Sequence, residues 1–222
     1  MSQAIISSED VGALVARVEQ LVRASNGKRV VVSLAGPPGS GKSYLSDKVI
    51  TALNKNGIKS MVLPQDGFHL YRSQLQTLPD PEKAFARRGA PFTFDCMLFL
   101  ALVKQLSSNV TLYGPSFDHK LKDPVENDIV ITPDVAVVII EGNYISLDEP
   151  CWTEIANYVD DTWFIEAPNS LLRERIIQRH LKAGISESRQ QAVERVENND
   201  LVNATYIAEH SKPTNVRIVQ EY

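Results

Sequence analysis

The glycine-rich segment at residues 36–43, GPPGSGKS, constrains the fold of this chain more than any other feature. It matches the pattern G-x-x-x-x-G-K-[ST], in which the glycines let successive backbone N–H groups turn toward bound phosphate. A β-branched run at residues 29–35 precedes it, and a helical pattern at residues 42–54 follows it. A strand, a tight loop and a helix are the context that this pattern requires, whereas a chance match in a loop would lack it. The segment therefore predicts a phosphate-binding loop.

The loop predicts a site for ATP with Mg²⁺. We expect Lys42 to reach the β- and γ-phosphates, and the Ser43 hydroxyl to be a Mg²⁺ ligand. The helix that follows adds the positive end of its dipole. The residues expected to contact the nucleotide are Gly36, Pro37, Pro38, Gly39, Ser40, Gly41, Lys42, Ser43 and Tyr44.

Strand and helix patterns alternate along the rest of the chain. Besides residues 29–35, strands are expected at residues 59–63, 135–140, 162–166 and 216–219, and two short strands at residues 110–113 and 129–132. Helices are expected from the N-cap Asp95 through residue 107, and at residues 152–158 and 186–198. Such alternation predicts parallel strands joined by helical crossovers. We therefore expect an α/β fold in which residues 1–222 form one three-layer domain, with a five-stranded parallel sheet and a helical lid at about residues 170–190. Ligands of such sheets bind beyond the carboxyl ends of the strands.

The composition of the chain limits the kinds of molecule that it is expected to bind. The net charge of −4 provides no basic field for nucleic acid, so any bound polyanion should be small. Residues 1–9 lack the features of a secretory signal, and the longest apolar run, residues 135–140, is too short to cross a bilayer. Cys96 and Cys151 lie far apart and suggest neither a disulfide framework nor a zinc site, which suits a reducing compartment. We expect a cytoplasmic protein that binds ATP and a small molecule, with no nucleic-acid or membrane partner.

Two acidic residues follow predicted strands. Asp66 comes after the strand at residues 59–63, where a carboxylate could accept a proton from a hydroxyl nucleophile and orient it. The alternative is an ordinary turn formed with Gly67. Glu141 follows the apolar strand at residues 135–140 and could serve Mg²⁺ through water or contact a substrate. The alternative for Glu141 is an acid that faces solvent at the end of a strand.

A basic helical pattern at residues 171–182 contains Arg175 and Arg179, which are four residues apart and share a face. Cations on a mobile segment can neutralise a phosphoryl group during transfer and exclude water. The pattern therefore predicts a lid, and the alternative is a solvated amphipathic helix.

Together these motifs resemble the phosphoribulokinase/uridine kinase/pantothenate kinase family of P-loop small-molecule kinases, over residues 29–219. Residues 36–43 match the Walker A loop of the family. Asp66-Gly67-Phe68 is similar to the segment of bacterial pantothenate kinase whose Asp is assigned as the catalytic base, although His69 departs from the uridine kinase pattern. Residues 87–95 resemble the basic segment of the family, residues 113–124 its substrate-side loop and residues 141–143 its Glu-Gly segment. Residues 175–184 with Arg195, and then Asn199-Asp200, resemble the lid and the adenine-side segment behind it.

The resemblance implies transfer of the γ-phosphoryl group of ATP to a hydroxyl of a metabolite, such as a nucleoside, a pantothenate-like compound or a sugar. The implied catalytic residues are Lys42, Asp66, Arg175 and Arg179, and the implied Mg²⁺ residues are Ser43 and Glu141. Acceptor contacts are implied for Asp66, Arg88, Tyr113, His119 and Glu141. The competing function is a P-loop ATPase that acts as a nucleotide-dependent switch or regulatory protein and has no small-molecule acceptor.

Overall fold

A parallel sheet forms the centre of the computed structural model, which describes residues 3–108 and 110–220. Met1 and Ser2 of the N-terminal segment lie outside these residues. The strands are β1 (Ala4–Ser7), β2 (Val30–Ala35), β3 (Ser60–Pro64), β4 (Leu112–Asp118), β5 (Asp123–Ile131), β6 (Val137–Gly142), β7 (Asp161–Glu166) and β8 (Val216–Val219). Six of them form the sheet in the order β1-β8-β7-β2-β6-β3, and every neighbouring pair is parallel.

The expected α/β architecture is confirmed, but the expected number of five strands in the sheet is wrong by one. The additional strand is β1, which lies at the edge and pairs with β8 from Ala4 opposite Val216 to Ser7 opposite Val219. It has only four residues, and Ile5 is 65% exposed. A strand this short, with one face in solvent, is too brief for its alternation to be recognised.

Helices cover both faces of the sheet. They are α1 (Val11–Ala24), α2 (Lys42–Lys55), α3 (Arg72–Leu75), α4 (Pro81–Ala86), α5 (Cys96–Val103), α6 (Asn169–Lys182), α7 (Arg189–Arg195) and α8 (Leu201–His210). Apolar side chains of α1 and α2 pack on one face, and those of α5 with part of α8 pack on the other. A smaller core joins α6, α7 and α8 to one another. Asp95 caps α5 as expected, because its carboxylate accepts from Leu98 N at 2.8 Å.

The central strands position the site. All residues of β2 and β6 are buried, which agrees with the continuous β-branched runs in their sequences. Their registers place Leu34 opposite Glu141 and Pro64 of β3 opposite the same Glu141. The loops that follow β2, β3 and β6 therefore begin at one edge of the sheet.

A separate antiparallel hairpin, β4–β5, lies beside that edge. It is longer than the two short strands expected at residues 110–113 and 129–132, and a register shift between Gly114 and Ser116 accommodates Pro115. Gly67 lies so close that a Cβ there would be 2.0 Å from Pro115 O. The hairpin is thereby held against the 3₁₀ turn Gln65–Phe68.

Two helical predictions are corrected in detail. Residues 152–158 form a 3₁₀ helix rather than an α-helix. The helix expected at residues 186–198 is shorter, and α7 continues directly into a π-helix, Val196–Asp200, before α8. Such wide turns re-aim side chains within a helical run and recur at functional sites.

The prediction for the cysteines is wrong. Cys96 and Cys151 form a disulfide with a Cα–Cα distance of 6.2 Å, although 55 residues separate them. The fold brings the first residue of α5 against the start of the 3₁₀ helix at Trp152, a proximity that spacing along the chain does not reveal. The argument from cysteine usage for a reducing compartment therefore no longer holds.

None of the helices in the described ranges combines the length and apolar character needed to cross a membrane.

Candidate active site

The phosphate-binding loop runs from the end of β2 to the first turn of α2. Gly39 and Gly41 have φ values of +78° and +85°, a conformation that side-chain-bearing residues rarely adopt. A Cβ on Gly39 would lie 2.8 Å from Cγ1 of Ile176, so the loop also packs closely against α6. The predicted glycines thus coincide with the positions at which the loop backbone adopts the left-handed conformation.

Lys42 lies inside this loop. Its Nζ donates to Gly36 O at 2.8 Å, to Pro37 O at 2.9 Å and to Asn143 Oδ1 at 2.8 Å. Desolvation lowers the pKa of Lys42 to about 8; the Glu141 and Asp66 carboxylates oppose that shift, and Arg179 adds to it. The ammonium group is therefore within electrostatic reach of all three of these predicted site residues.

Ser43 and Glu141, the two predicted Mg²⁺ residues, are in direct contact. Ser43 Oγ donates to Glu141 Oε1 at 2.8 Å, and Ser46 Oγ donates to Glu141 Oε2 at 2.6 Å. Glu141 is buried at the end of β6, so it is not a solvent-facing strand-end acid. A hydroxyl and a carboxylate are oxygen donors of the kind Mg²⁺ prefers when it also keeps water and phosphate ligands. The pair therefore fits that ion.

Asp66 lies in the 3₁₀ turn that follows β3, and its side chain is exposed. Its neighbours anchor the turn: Gln65 Oε1 accepts from Tyr144 N at 3.1 Å, and Phe68 is buried against Phe99 with ring centroids 4.8 Å apart. Asp66 thus presents its carboxylate to the cleft from a rigid support, within electrostatic reach of Lys42.

A polar and aromatic group extends from Asp66 toward the hairpin. The His69 ring lies between Phe94 and Phe117, with centroid distances of 4.0 Å and 4.8 Å. Desolvation lowers the pKa of His69, and the charges of Arg88 and His119 lower it further, whereas Asp66 raises it. His119 in turn lies 5.2 Å from the Phe117 ring. We call His69, Arg88, Phe117 and His119 the acceptor-side group.

Arg88 lies at the base of the acceptor-side group. It donates to Leu70 O at 3.1 Å and to Asp123 Oδ1 at 3.2 Å, and its guanidinium carbon lies 5.7 Å from the centre of the Phe117 ring. Burial lowers the pKa of Arg88, and the ion pair with Asp123 opposes that shift. The predicted residues Arg88 and His119 are thus brought toward Asp66 through shared contacts with Phe117 and His69.

Two predicted residues are not brought into this arrangement. Tyr113 is 56% exposed and pairs with Val130, next to the end of the hairpin at which Ile131 pairs with Leu112. That end lies near the start of β3, since Lys59 Nζ donates to Thr132 Oγ1, and therefore away from Asp66. Tyr44 is 65% exposed, with Lys48 Nζ 4.3 Å from its ring centre, so only its backbone lies in the loop region.

The two predicted lid arginines occupy different environments. Arg175 donates to Gln220 Oε1 at 2.7 Å and to Gly39 O at 3.4 Å, so it lies on the outer side of the phosphate loop. Arg179 is within electrostatic reach of Lys42 and also acts on Asp200. Arg179 therefore lies close enough to Lys42 to act on its charge, whereas Arg175 contacts the outer side of the phosphate loop.

The π-helix behind α6 carries buried polar side chains. Asn199 Nδ2 donates to Arg88 O at 3.5 Å, which places this residue beside the acceptor-side segment, whereas the resemblance implied a contact on the adenine side. Asp200 Oδ2 is 3.6 Å from His180 Nε2. Desolvation raises the pKa of Asp200, while Arg179, Arg195 and Arg87 oppose the rise. The π-helix thus links the predicted lid to the segment that carries Arg88.

The sequence interpretation missed several residues of this arrangement. Asn143 binds Lys42, Ser46 binds Glu141, and Asp123 pairs with Arg88. Asn143 lies in the segment singled out at residues 141–143 and His69 directly follows Asp66-Gly67-Phe68, but neither had been assigned a role in the site. Ser46, Phe117 and Asp123 carry no signal in the sequence, because their roles arise from contacts between distant segments.

Comparison with known proteins agrees with this geometry. The family model of the phosphoribulokinase/uridine kinase family matches residues 31–218. A Schizosaccharomyces pombe protein named "putative uridine kinase" is 40% identical over 185 residues, which cover 81% of this chain and 78% of that protein. An ATP-dependent kinase of Lachancea thermotolerans is 30% identical, and the match covers 86% of this chain but only 65% of that protein.

Solved structures show the same fold. The crystal structure of a "putative fructose transport system kinase" from Silicibacter has a TM-score of 0.85 and 34% identity, covering 93% of this chain and 98% of that chain. A P-loop kinase of Saccharomyces cerevisiae has a TM-score of 0.84 at 23% identity and covers 96% of this chain and 99% of that chain, a likeness of fold alone.

A parallel sheet, a glycine-rich phosphate loop at its carboxyl edge and a carboxylate beside the loop lysine define the class of P-loop kinases, phosphotransferases with an alcohol group as acceptor. Within that class, the chain belongs to the phosphoribulokinase/uridine kinase family. Use of ATP follows from that membership.

Proposed function

We propose that this chain transfers the γ-phosphoryl group of ATP to a hydroxyl of a small metabolite, with Asp66 as the residue that orients and deprotonates that hydroxyl. The observation that carries the proposal is the position of Asp66. Its carboxylate is free of protein hydrogen bonds within the described residues and lies between the phosphate loop and the acceptor-side group.

In the proposed reaction, the acceptor oxygen forms a bond to the γ-phosphorus while the bond from that phosphorus to the β–γ bridging oxygen breaks. The hydroxyl proton passes to Asp66, and ADP leaves with the electron pair of the broken bond. The N–H groups of the phosphate loop and Lys42 hold the β- and γ-phosphates. Mg²⁺, when bound at Ser43 and Glu141, supplies charge neutralisation of those phosphates.

We propose that Arg179 and Arg175 close over the nucleotide from α6. Arg179 is the more direct contributor, because it already acts on the charge of Lys42. Arg175 contacts Gly39 O and thereby supports the outer wall of the loop. A cation that is preorganised in a water-poor site stabilises developing negative charge far better than one in bulk water.

The acceptor-side group favours a polar acceptor that has a planar or ring-shaped part. Phe117 and His119 supply aromatic rings, whereas Phe94 and Phe117 cover the two faces of the His69 ring. Arg88, His119 and Asp66 supply hydrogen-bonding groups around these rings. Nucleosides, sugars and pantothenate-like compounds all meet these requirements, and the names of the relatives include uridine and fructose system kinases. Arg88 is already paired with Asp123, which limits the charge it offers to an anionic acceptor.

The proposal is tested by ADP release with ATP and Mg²⁺ across a panel of acceptors: uridine, cytidine, nicotinamide riboside, pantothenate, fructose, ribulose 5-phosphate, glycerate and no acceptor. We expect one acceptor class to raise ADP release well above the blank, and Asp66→Asn to reduce the increment by about 10²- to 10⁴-fold, as loss of a general base does. Binding of ATP by the variant should be unchanged.

A nucleotide-dependent switch would give a different result. ADP release would be the same with every acceptor and with none, and Asp66→Asn would leave it unaltered. That outcome, obtained with a protein that still binds ATP, would contradict the proposed function.

A further inference from the structure

A second cavity lies away from the phosphate loop, between α8 and the segment that joins α4 to α5. Its volume is about 930 Å³, close to the upper end of the range usual for small-molecule sites. Its lining includes Val202 and Tyr206 of α8, Phe92 and Phe94 of the segment before α5, and Trp152. We call this cavity the α8 groove.

The walls of the α8 groove are apolar and aromatic. Trp152 and Phe94 are buried, whereas Phe92 and Val202 are 49% and 45% exposed although both are large and apolar. Aromatic rings offer flat apolar contact area, and their electron-rich faces also attract cations. The groove therefore suits a ligand with a flat or apolar body, and it favours positive charge on that body.

The charged residues that line the α8 groove also favour a positively charged ligand. Glu149, Glu197 and Glu209 line it, and Arg87 is the one basic residue of its lining. Arg87 donates to the neutral Asn203 Oδ1 at 2.7 Å, so it keeps its positive charge and offsets one of the three carboxylates. Arg173 pairs with Glu197, but Glu149 accepts only the neutral hydroxyl of Tyr206, and Glu209 has no ion pair among the described residues. A carboxylate without a basic partner beside an aromatic wall selects a cation over an anion.

The groove shares structural parts with the active site. Arg87 lines the groove while its neighbour Arg88 belongs to the acceptor-side group. Phe94 lines the groove, and its ring lies 4.0 Å from the ring of His69, whose Nδ1 is 2.8 Å from Asp66 O. A ligand that pressed on Phe94 would therefore act one side chain away from the turn that carries Asp66.

We propose that the α8 groove is a second small-molecule site, which binds an organic cation with an aromatic body and transmits its occupancy to His69 through Phe94. The binding part is independent of the proposed kinase function, because it rests on the groove alone. The proposed effect of the ligand on His69 is measured from the NMR signal of the His69 ring, so this part of the proposal also does not depend on catalytic turnover.

Binding is tested with three probes that share a phenylethyl body and differ in charge: 2-phenylethylamine, 2-phenylethanol and 3-phenylpropionate. Ligand-observed NMR with the full chain should show the amine binding about fivefold more tightly than the alcohol, with no binding of the carboxylate. Quenching of Trp152 fluorescence locates the ligand, because the other tryptophan, Trp163, lies in the core on the far face of the sheet. Trp152→Phe should remove the quenching.

Variants separate the groove from the rest of the surface. Glu209→Gln should weaken binding of the amine about threefold to fivefold and leave the alcohol unaffected. Val202→Lys, which places a cation in the groove at an exposed position, should abolish binding of the amine. Glu82→Gln removes an exposed carboxylate of α4 outside the groove lining and serves as the matched control, with no change for any probe.

Transmission is tested by the NMR signals of the histidine rings, with His69 assigned through His69→Gln. The amine should shift the His69 signal in the wild type but not in Val202→Lys. The proposal is overturned if the three probes bind equally, if Val202→Lys still binds the amine, or if the His69 signal does not move. It is also overturned if size-exclusion chromatography shows a dimer that Val202→Lys dissociates, since a second copy would then fill the groove.

Discussion

At the scale of single residues, the protonation of Lys42 depends on its burial and on the charged side chains around it. It combines a desolvated position with two carboxylates and one arginine within electrostatic reach. Without a phosphate partner, desolvation outweighs the two carboxylates and lowers the pKa of Lys42 to about 8. Bound phosphate adds negative charge and must raise that pKa, because it favours the ammonium form.

Lys42 therefore makes ATP affinity depend on pH. The bound state holds a proton that the free state loses as pH rises through about 8. We expect affinity to be nearly constant just below that pH, and to fall by up to about tenfold per pH unit above it. Binding titrations with Lys55→Met as the control, an exposed lysine at the end of α2, measure the effect. Affinity that stays constant from about pH 7.5 to 9.5 would contradict it.

Gly39 and Gly57 form a matched pair for testing the fit of the phosphate loop. Their φ values are +78° and +80°, but a Cβ on Gly39 would lie 2.8 Å from Ile176 whereas one on Gly57 would meet open space. Both substitutions by Ala carry the backbone strain, about 1 kcal/mol, and Gly39→Ala carries an additional steric cost of about 1–3 kcal/mol. Urea unfolding should show this difference, with ATP binding impaired only in Gly39→Ala. Equal destabilisation would mean that the loop does not pack on α6 as described.

At the scale of elements, the helices behind the phosphate loop bury two titratable groups. His180 of α6 is 3% exposed, and desolvation with the charges of Arg195 and Arg179 lowers its pKa to about 4. The neighbouring Asp200, from the π-helix, has a raised pKa for the same dominant reason, desolvation. Both groups favour their neutral forms when folded, so their contributions to the pH dependence of stability have opposite signs.

His180 should make the protein less stable in mild acid. Between the unfolded pKa near 6.5 and the folded pKa of about 4, the unfolded state binds more protons, so stability is lost as pH falls through this window. Comparing urea midpoints at about pH 7 and pH 5, we expect a shallower loss in His180→Gln than in the wild type. His210→Gln, at an exposed position, is the control. Identical pH slopes in all three proteins would refute the role of His180.

The disulfide joins the first residue of α5 to the residue just before the 3₁₀ helix that begins at Trp152. It closes a loop of 55 residues, for which chain entropy gives a stabilisation of up to about 4 kcal/mol. We expect reductant to lower the melting temperature of the wild type, and Cys96→Ser combined with Cys151→Ser to melt at the lower temperature with or without reductant. Two titratable thiols in the unreduced wild type, with no effect of reductant on melting, would show that the bond is absent.

At the scale of the whole molecule, the sequence predicted what local patterns encode. The buried strands were recognisable from β-branched runs, and the phosphate loop from its glycines, so the sheet edge with Lys42, Ser43 and Glu141 followed from them. Features that depend on contacts between distant segments were missed. These include the edge strand β1, the disulfide, and the stacking of His69 between Phe94 and Phe117. Tyr113 illustrates the same limit, because alternation in a strand does not reveal which end of a hairpin reaches the cleft.

The central claim is that the γ-phosphoryl group reaches a hydroxyl of an acceptor and not water. Phosphorus NMR of a reaction containing ATP, Mg²⁺ and the acceptor found in the panel tests this directly, because a phosphate ester and inorganic phosphate give separate signals. The account predicts that an ester signal grows in step with ADP, and that in Asp66→Asn this growth nearly stops while ATP remains bound. ADP accompanied only by inorganic phosphate, at the same rate with and without the acceptor and in both proteins, would contradict it.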